Sequence, residues 1–436
     1  MEHIKLVIIN HSFQKEYYYR RWQIFANDHK DVEIYLLTPV KNDWYASKDY
    51  TFSGKETVYG REIDEGNFHI KLFRLNVFGW SWFSTDYSKL FKEIQPDVIY
   101  HIGTHRMLSL IQVGCVAHRV CPKAKLTLFS MRGPASNLKL DKSPCGIPEW
   151  IRRRMRYWQM KFTWNYVKRN YSSIFCHYPD AVECFKQEGY KGNLYMQTQV
   201  GVNSEWFHED EEARKMIRQK YNISDETYVF GSASRFSPDK GIDIILKSLP
   251  SDGDWKYFMM GTGSNEDLQR LRSIVKERRL QDKVIETGFI DWFEIAKYWN
   301  AIDCAIHVPL TTNDWVETFS LAVIQPMITK KPIIGDNSGS VPYQIGFDDM
   351  IVSEGDVKAL HDKIVWVLNN KDKAQKIAEK MCKRTMESFE IKHLNDMFYE
   401  TIVNDVIPGK YDINKFDMTN YTPKKYGENK AIKIYR

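Results

Sequence analysis

The chain has 436 residues, of which 43% are hydrophobic and 27% charged, and its formal net charge is +6. That length exceeds one ordinary core and calls for two domains of about 200 residues each. The mild basicity favours anionic ligands or surfaces without pointing to nucleic acid, and no run of about 18 apolar residues is present to cross a bilayer. The opening stretch MEHIKLVIINH has no basic leader ahead of its apolar run, so it reads as a buried strand and not as a signal peptide. Seven cysteines without a CxxC pair fit free thiols in a reducing cytoplasm. His101, His105 and His118 lack metal-ligand spacing and read as core or surface histidines; no metal site is expected.

Short apolar runs alternate with amphipathic segments, the pattern of parallel α/β sheets. In the first half, strands are expected near 4–10, 32–38, 69–75, 97–102, 125–130 and 173–177. Helices fill 15–27, 86–94, 106–120, 149–171 and 180–188, and the polar segment 40–66 reads as loop. A second series begins near 228. There YVFGSAS, WKYFMMG, KVIETG, AIDCAIHV and KPIIGD alternate with helices over 241–249, 264–279, 291–299, 320–329 and from 356 onward. The charged stretch SEWFHEDEEARK, 204–215, holds no strand and marks the boundary. Two doubly wound α/β domains follow, 1–205 and 206–385, with ligand expected in the cleft at the carboxyl ends of their strands. A C-terminal helix and tail, 386–436, is expected to pack back on the first domain.

The helix expected over 149–171 is unusual. Ile151, Met155, Trp158, Phe162 and Tyr166 share one face, with Arg152, Arg153, Arg154, Arg156, Lys161, Lys168 and Arg169 around them. Two readings stay open: a stripe facing the core, with a solvated basic face, or a helix lying against an anionic membrane surface.

Three stretches of the second half carry chemistry. In SASRFSPDKGIDIILKSL, Arg235 and Lys240 flank a strand–helix turn, where two cations suit a diphosphate; solvated loop charges are the plainer reading. In MGTGSNEDLQRLR, Gly261 and Gly263 end a strand and open a helix, which serves either a close ligand approach or a simple turn. In ETFSLAVIQPM, Glu317 precedes a helix that Ser320 can cap. That carboxylate either complements the helix dipole or accepts sugar hydroxyls.

The linked series is Arg235-x4-Lys240-Gly241, GxG, TGFI (287–290), Glu317-x7-Gln325 and KKPIIGDNSGSVP. Together these resemble the second domain of GT-B glycosyltransferases of the large retaining family 4, the glycosyl transferases group 1. QVGVNSEWF (199–207) is similar to that family's domain-boundary motif. The resemblance covers about 199–402; over 1–198 only the order of elements carries it. It implies a GT-B fold, with two Rossmann-like domains facing each other across a cleft. It also implies a nucleotide-sugar donor, UDP or GDP, transfer with retained anomeric configuration, and no metal or other cofactor.

By the same resemblance Arg235 and Lys240 neutralise the leaving diphosphate and Glu317 binds the donor sugar. Backbone N–H groups around Phe319, Ser320 and Leu321 contact sugar or phosphate, Gly261, Gly263 and Phe289 line the donor, and Gln325 stands where the family's second glutamate holds the ribose. In the first domain His11 and Arg132 take the acceptor or donor-sugar side, Arg132 standing where the family commonly has histidine. Ser320 and Ser340 replace family glycines, and Tyr343 replaces an acid. The expected acceptor is a glycan or lipid-linked saccharide, and the expected place is the cytoplasm or the inner membrane face. A GT-B sugar-nucleotide epimerase and a degenerate nucleotide-sugar-binding protein are the alternatives.

Overall fold

The computed structural model describes residues 3–42, 58–75, 83–105, 107–130, 146–312, 315–410 and 414–415. The first sheet has nine strands. Its order is Asn414–Lys415, Asn193–Met196, Ser173–Cys176, Lys125–Ser130, Val98–Gly103, Ile4–Ile9, Val32–Pro39, Phe68–Phe73 and Ile63–Glu65. Every pairing is parallel except the antiparallel edge Ile63–Glu65. The second sheet has six parallel strands in the order Val284–Gly288, Trp255–Thr262, Tyr228–Arg235, Cys304–His307, Ile333–Asp336 and Ile351–Val352. Helices cover both faces of each sheet. This is the GT-B architecture of two doubly wound domains, as the sequence leads one to expect.

The apolar runs form strands because parallel sheets are covered on both sides, so successive residues are buried on opposite faces. In Ile4–Ile9, Leu6 and Ile8 meet Trp22 and Phe25 of the helix Glu16–Asp28. Val7 and Ile9 point the other way, toward Leu110, Trp164 and Val167. The helix Ile391–Thr401 adds Phe398 to the first of these cores, although the chain has by then passed through the second domain.

Several elements depart from the sequence reading. The boundary stretch 204–215 runs into the helix Glu211–Lys220, capped by Asp210, whose side chain accepts the Ala213 N–H. The short strand Asn193–Met196 and the edge strand Ile63–Glu65 were not expected, the latter lying in a segment read as loop. The largest correction concerns the helix Ile147–Asn170. Its buried line is Met160, Thr163, Trp164 and Val167, while Ile151, Met155, Trp158 and Phe162 are exposed, so the core-facing reading of that stripe fails for these four and holds only for Tyr166, which packs against the core. Helical spacing tells which residues share a face but not which face meets the core. Trp164 takes the core position, packing against His105, Phe185 and Tyr190.

Candidate functional site

In the second sheet Tyr228–Arg235 lies between Trp255–Thr262 and Cys304–His307, so the connections leaving it and its neighbour diverge at a topological switch point. Three loops converge there. The turn Pro238–Lys240 follows the first strand and ends at Gly241, whose φ is +67°. A side chain at Gly241 would place its Cβ 1.9 Å from the Val308 carbonyl oxygen, and the Leu310 N–H donates to the Asp239 carbonyl at 2.8 Å. The turn is therefore seated directly on the loop that leads from Cys304–His307 to Glu317. From the third strand, Gly339 (φ +50°) presses against the Glu317 backbone, a Cβ there falling 1.9 Å from the Glu317 carbonyl oxygen. That carbonyl accepts the Ser340 N–H at 2.9 Å.

The result brings together side chains 77 positions apart. Lys240 Nζ donates to Glu317 Oε2 at 3.0 Å. The indole of Trp315 covers the same ammonium, 3.8 Å from ring centroid to Nζ. His307 Nε2 lies 3.6 Å from Glu317 Oε2, just beyond hydrogen-bonding reach. Glu317 is buried. Burial pushes its carboxyl up, but His307 and Lys240 together outweigh this and hold it below its ordinary value. Arg235 ends its strand half-buried, and its guanidinium has no hydrogen bond or ion pair with any described residue. Trp315 and His307 were not singled out from the sequence; the signal was there, since CAIH closes a strand with histidine.

The other expected residues fall as follows. Gly261 and Gly263 lie at and after the end of Trp255–Thr262. A Cβ on Gly261 would sit 1.9 Å from the Ser234 carbonyl oxygen, so strand packing by itself requires that glycine. Phe289 is half exposed beyond Val284–Gly288. Ser320 occupies the cap position of the helix Leu321–Ile328, but its hydroxyl makes no capping hydrogen bond, which corrects the reading of it as a side-chain cap. Gln344 acts there instead: its Oε1 accepts the Ser320 N–H, and its Nε2 donates to the Ser320 carbonyl, both at 2.9 Å. Leu321 is half-buried at the start of that helix. Gln325 is buried, its Oε1 accepting Trp299 Nε1–H at 3.0 Å. Its acceptor oxygen is thus engaged within the protein, a partner that lies 26 residues upstream and that no spacing rule identifies.

Phe319 faces the first domain. Its ring stacks on His177, with centroids 5.5 Å apart and planes at 19°. His177 directly follows the strand Ser173–Cys176, is buried, and pairs through Nδ1 with Thr198 Oγ1 at 3.0 Å. Burial lowers its pKa to about 3, opposed by the Glu317 charge acting from across the cleft. A second ring contact joins the domains where Tyr17 stacks on Trp292 at 5.4 Å. At the first sheet's own switch point, His11 follows Ile4–Ile9 and His101 sits on the neighbouring strand, opposite Ile9. Burial holds His11 at about 4, and burial followed by the nearby His11 holds His101 at about 3, so both imidazoles are neutral at physiological pH. Arg132 lies outside the described residues.

The glycosyl transferases group 1 family matches residues 213–384. Over 157 residues the chain is 26% identical to the O-antigen biosynthesis glycosyltransferase WclY of Escherichia coli, a match covering 35% of this chain and 41% of that one. The chain thus spans about two-fifths of the length of the curated relatives it matches. Solved structures resemble it over almost its whole length. HepE of Anabaena, in complex with UDP and glucose, superposes with a TM-score of 0.66 at 17% identity, covering 92% of this chain and 100% of that one. Sucrose-phosphate synthase of Thermosynechococcus elongatus gives a TM-score of 0.66 at 13% identity, covering 92% and 98%.

Proposed function

We propose that this protein, whose residues 213–384 form a glycosyl transferases group 1 domain within a GT-B fold, is a retaining glycosyltransferase. It moves a sugar from a nucleotide-sugar donor to a glycan or lipid-linked acceptor, in cell-surface polysaccharide or glycolipid synthesis at the inner face of a membrane. The observation that carries this reading is the Lys240–Glu317 pair at the switch point, where the strand before that turn ends in Arg235, whose guanidinium has no hydrogen bond or ion pair among the described residues. A donor diphosphate offers oxyanions to both cations, and Lys240 exchanges part of its bond to Glu317 for a phosphate oxygen. Glu317 then accepts hydroxyl protons of the donor sugar.

In the reaction the bond from the anomeric carbon to the phosphate oxygen breaks, and a bond to the acceptor oxygen forms on the same face of the sugar. The acceptor proton leaves with the diphosphate. Two side-chain cations supply the charge stabilisation that a metal ion gives in other sites, so turnover is expected to persist in a chelator. Gln325 keeps its Nε2–H groups for a ribose hydroxyl while Trp299 holds its oxygen. The UDP in the HepE complex favours a uridine donor.

The test is a melting-temperature screen with UDP, GDP and ADP sugars, followed by assay of donor hydrolysis. A nucleotide sugar at about a hundred times its Kd should stabilise the protein by about 2.7 kcal/mol. Stabilisation with slow release of free nucleotide diphosphate is expected. Binding without any release leaves the degenerate, non-catalytic protein, and release of an epimerised sugar indicates the epimerase.

A further inference from the structure

We infer that the first half of the helix Ile147–Asn170 is a docking face for an anionic lipid bilayer, and that the chain lies on it through a line of apolar side chains. Four observations carry this. First, over 147–159 no side chain is buried; the buried residues all lie between Met160 and Val167. That half of the helix therefore contributes no side chain to the core clusters of the described residues. Second, the line is continuous and strongly exposed: Ile151 is 45% exposed, Met155 68%, Trp158 63% and Phe162 65%. At 100° per residue Met155 and Trp164 point in opposite directions, so the line is on the side of the helix facing away from the core. A water-soluble surface seldom keeps four large apolar groups in one row.

Third, the charge is one-sided. The helix carries seven arginines and lysines and a single acid, Glu149, which is already paired with Arg152 and Arg153. Arg154 lies over the Trp150 ring at 4.2 Å, and Lys161 over Tyr157 and Trp158 at 5.4 and 5.7 Å. Cations held at the flanks of an apolar line suit acyl chains below and phosphate headgroups beside them. A protein partner with an apolar groove would explain the line but not the excess of positive charge; a second copy would bring together two faces of the same sign.

Fourth, the placement serves the cleft. Two residues separate the end of the helix from the strand Ser173–Cys176, which runs parallel to its neighbours toward His177 at the cleft. It is about 36 Å long, against roughly 20 Å for the six-residue strand Lys125–Ser130. Connecting the end of one parallel strand to the start of the next, it runs back along the sheet, so its first residues belong to the cleft end of the domain. No helix among the described residues is long and apolar enough to span a membrane, so attachment is in the plane of the surface.

The experiment is vesicle co-sedimentation of the full chain without donor, using phosphatidylcholine vesicles with and without phosphatidylglycerol, at low and high salt. Binding only to the anionic vesicles, weakened by salt, is expected. The triple variant Arg152→Gln, Arg154→Gln, Arg156→Gln should lower partitioning about a hundredfold. The double variant Met155→Glu, Trp158→Glu should abolish it, with unchanged melting temperature and unchanged UDP binding. Wild-type protein left in the supernatant with anionic vesicles overturns the inference. So does a dimer in light scattering that the double variant dissociates, since the occupant is then a second copy. Because vesicle binding is read without substrate, it can fail while the transferase reading stands, and the reverse.

Discussion

The residue that organises the site is Lys240, because it neutralises a buried carboxylate before any substrate arrives. Its bond to Glu317 is 3.0 Å long, and both side chains are largely removed from water. Removing one member of a buried pair costs about 3–5 kcal/mol, since the other is left as an uncompensated charge. Lys240→Ala is therefore expected to lower stability by that order and kcat by about 10²–10³, the second figure being typical for one preorganised charge-stabilising donor. Adding Glu317→Gln should restore much of the stability and none of the activity; urea titrations beside steady-state kinetics separate the two effects. Recovery of kcat in the double variant would remove Glu317 from the chemistry.

The buried histidines set a different pH dependence. His177 and His101 have folded pKa values of about 3 and His11 about 4, against 6.5 when exposed. A group depressed in the folded state takes its proton in the unfolded state first, so stability is fully present above pH 6.5 and falls on acidification from there toward 3. The slope is about 1.4 kcal/mol per pH unit for each histidine. His177→Asn should make the urea midpoint less sensitive to pH between 6.5 and 4.5, and an unaltered slope would mean that His177 protonates freely in the native protein.

At the scale of elements, the loops of the candidate site are held by backbone fit. Gly339 has φ +50° and no room for a methyl group under the Glu317 carbonyl. Gly339→Ala should cost about 1–3 kcal/mol from the backbone conformation and more from the clash, and should raise donor KM as Glu317 shifts; near-normal kinetics would show the loop to be compliant. The helix Glu211–Lys220 shows what a sequence hides. Its residues are so charged that the stretch reads as a linker. Yet Arg218 is buried, giving hydrogen bonds to the carbonyls of Ala301, Ser224 and Thr227 and to Asp303 Oδ2 at 2.6 Å, while Arg214 takes the other oxygen of Asp303. The partner lies 85 residues away, so no local pattern announces it. The long parallel strands were legible because burial on both faces leaves continuous apolar runs. The four-residue strand Asn193–Met196 is too short to show a period, and for the stripe on Ile147–Asn170 the spacing left open whether it faces the core or the outside. Of the site, Arg235, Lys240 and Glu317 stood out as candidates in the sequence, but their spacing alone left plainer readings open and only the family resemblance tied them to a donor. The cover that Trp315 provides, the clamp of Gln344 on Ser320 and the engagement of Gln325 by Trp299 are tertiary, and nothing in the spacing encodes them.

At the scale of the whole molecule, the chain crosses between its domains twice. After completing the second sheet it returns through Ile391–Thr401, and Phe398 enters the first domain's core, within 5.0–5.8 Å of the rings of Tyr100, Trp22, Phe175 and Phe25. Alongside it Arg21 Nε donates to Asn395 Oδ1 at 2.8 Å, and Gln197 Nε2 to Thr401 Oγ1 at 2.7 Å. The first domain's core is thus completed by residues that follow the second domain in the chain. It follows that damage to the returning helix should weaken the first domain more than the second. Phe398→Ala removes a buried ring from an aromatic cluster and is expected to cost about 3–5 kcal/mol. In hydrogen exchange the amides of Val98–Gly103 and Ser173–Cys176 should lose protection, while those of Trp255–Thr262 keep theirs, because the second core contains no atom of Phe398. Calorimetry should then separate into two transitions, the lower belonging to the first domain. Equal loss of protection in both sheets would mean that the two domains unfold as one cooperative unit, coupled by the His177–Phe319 and Tyr17–Trp292 contacts across the cleft. In that event Phe319→Ala with Trp292→Ala, which removes both contacts, should uncouple them.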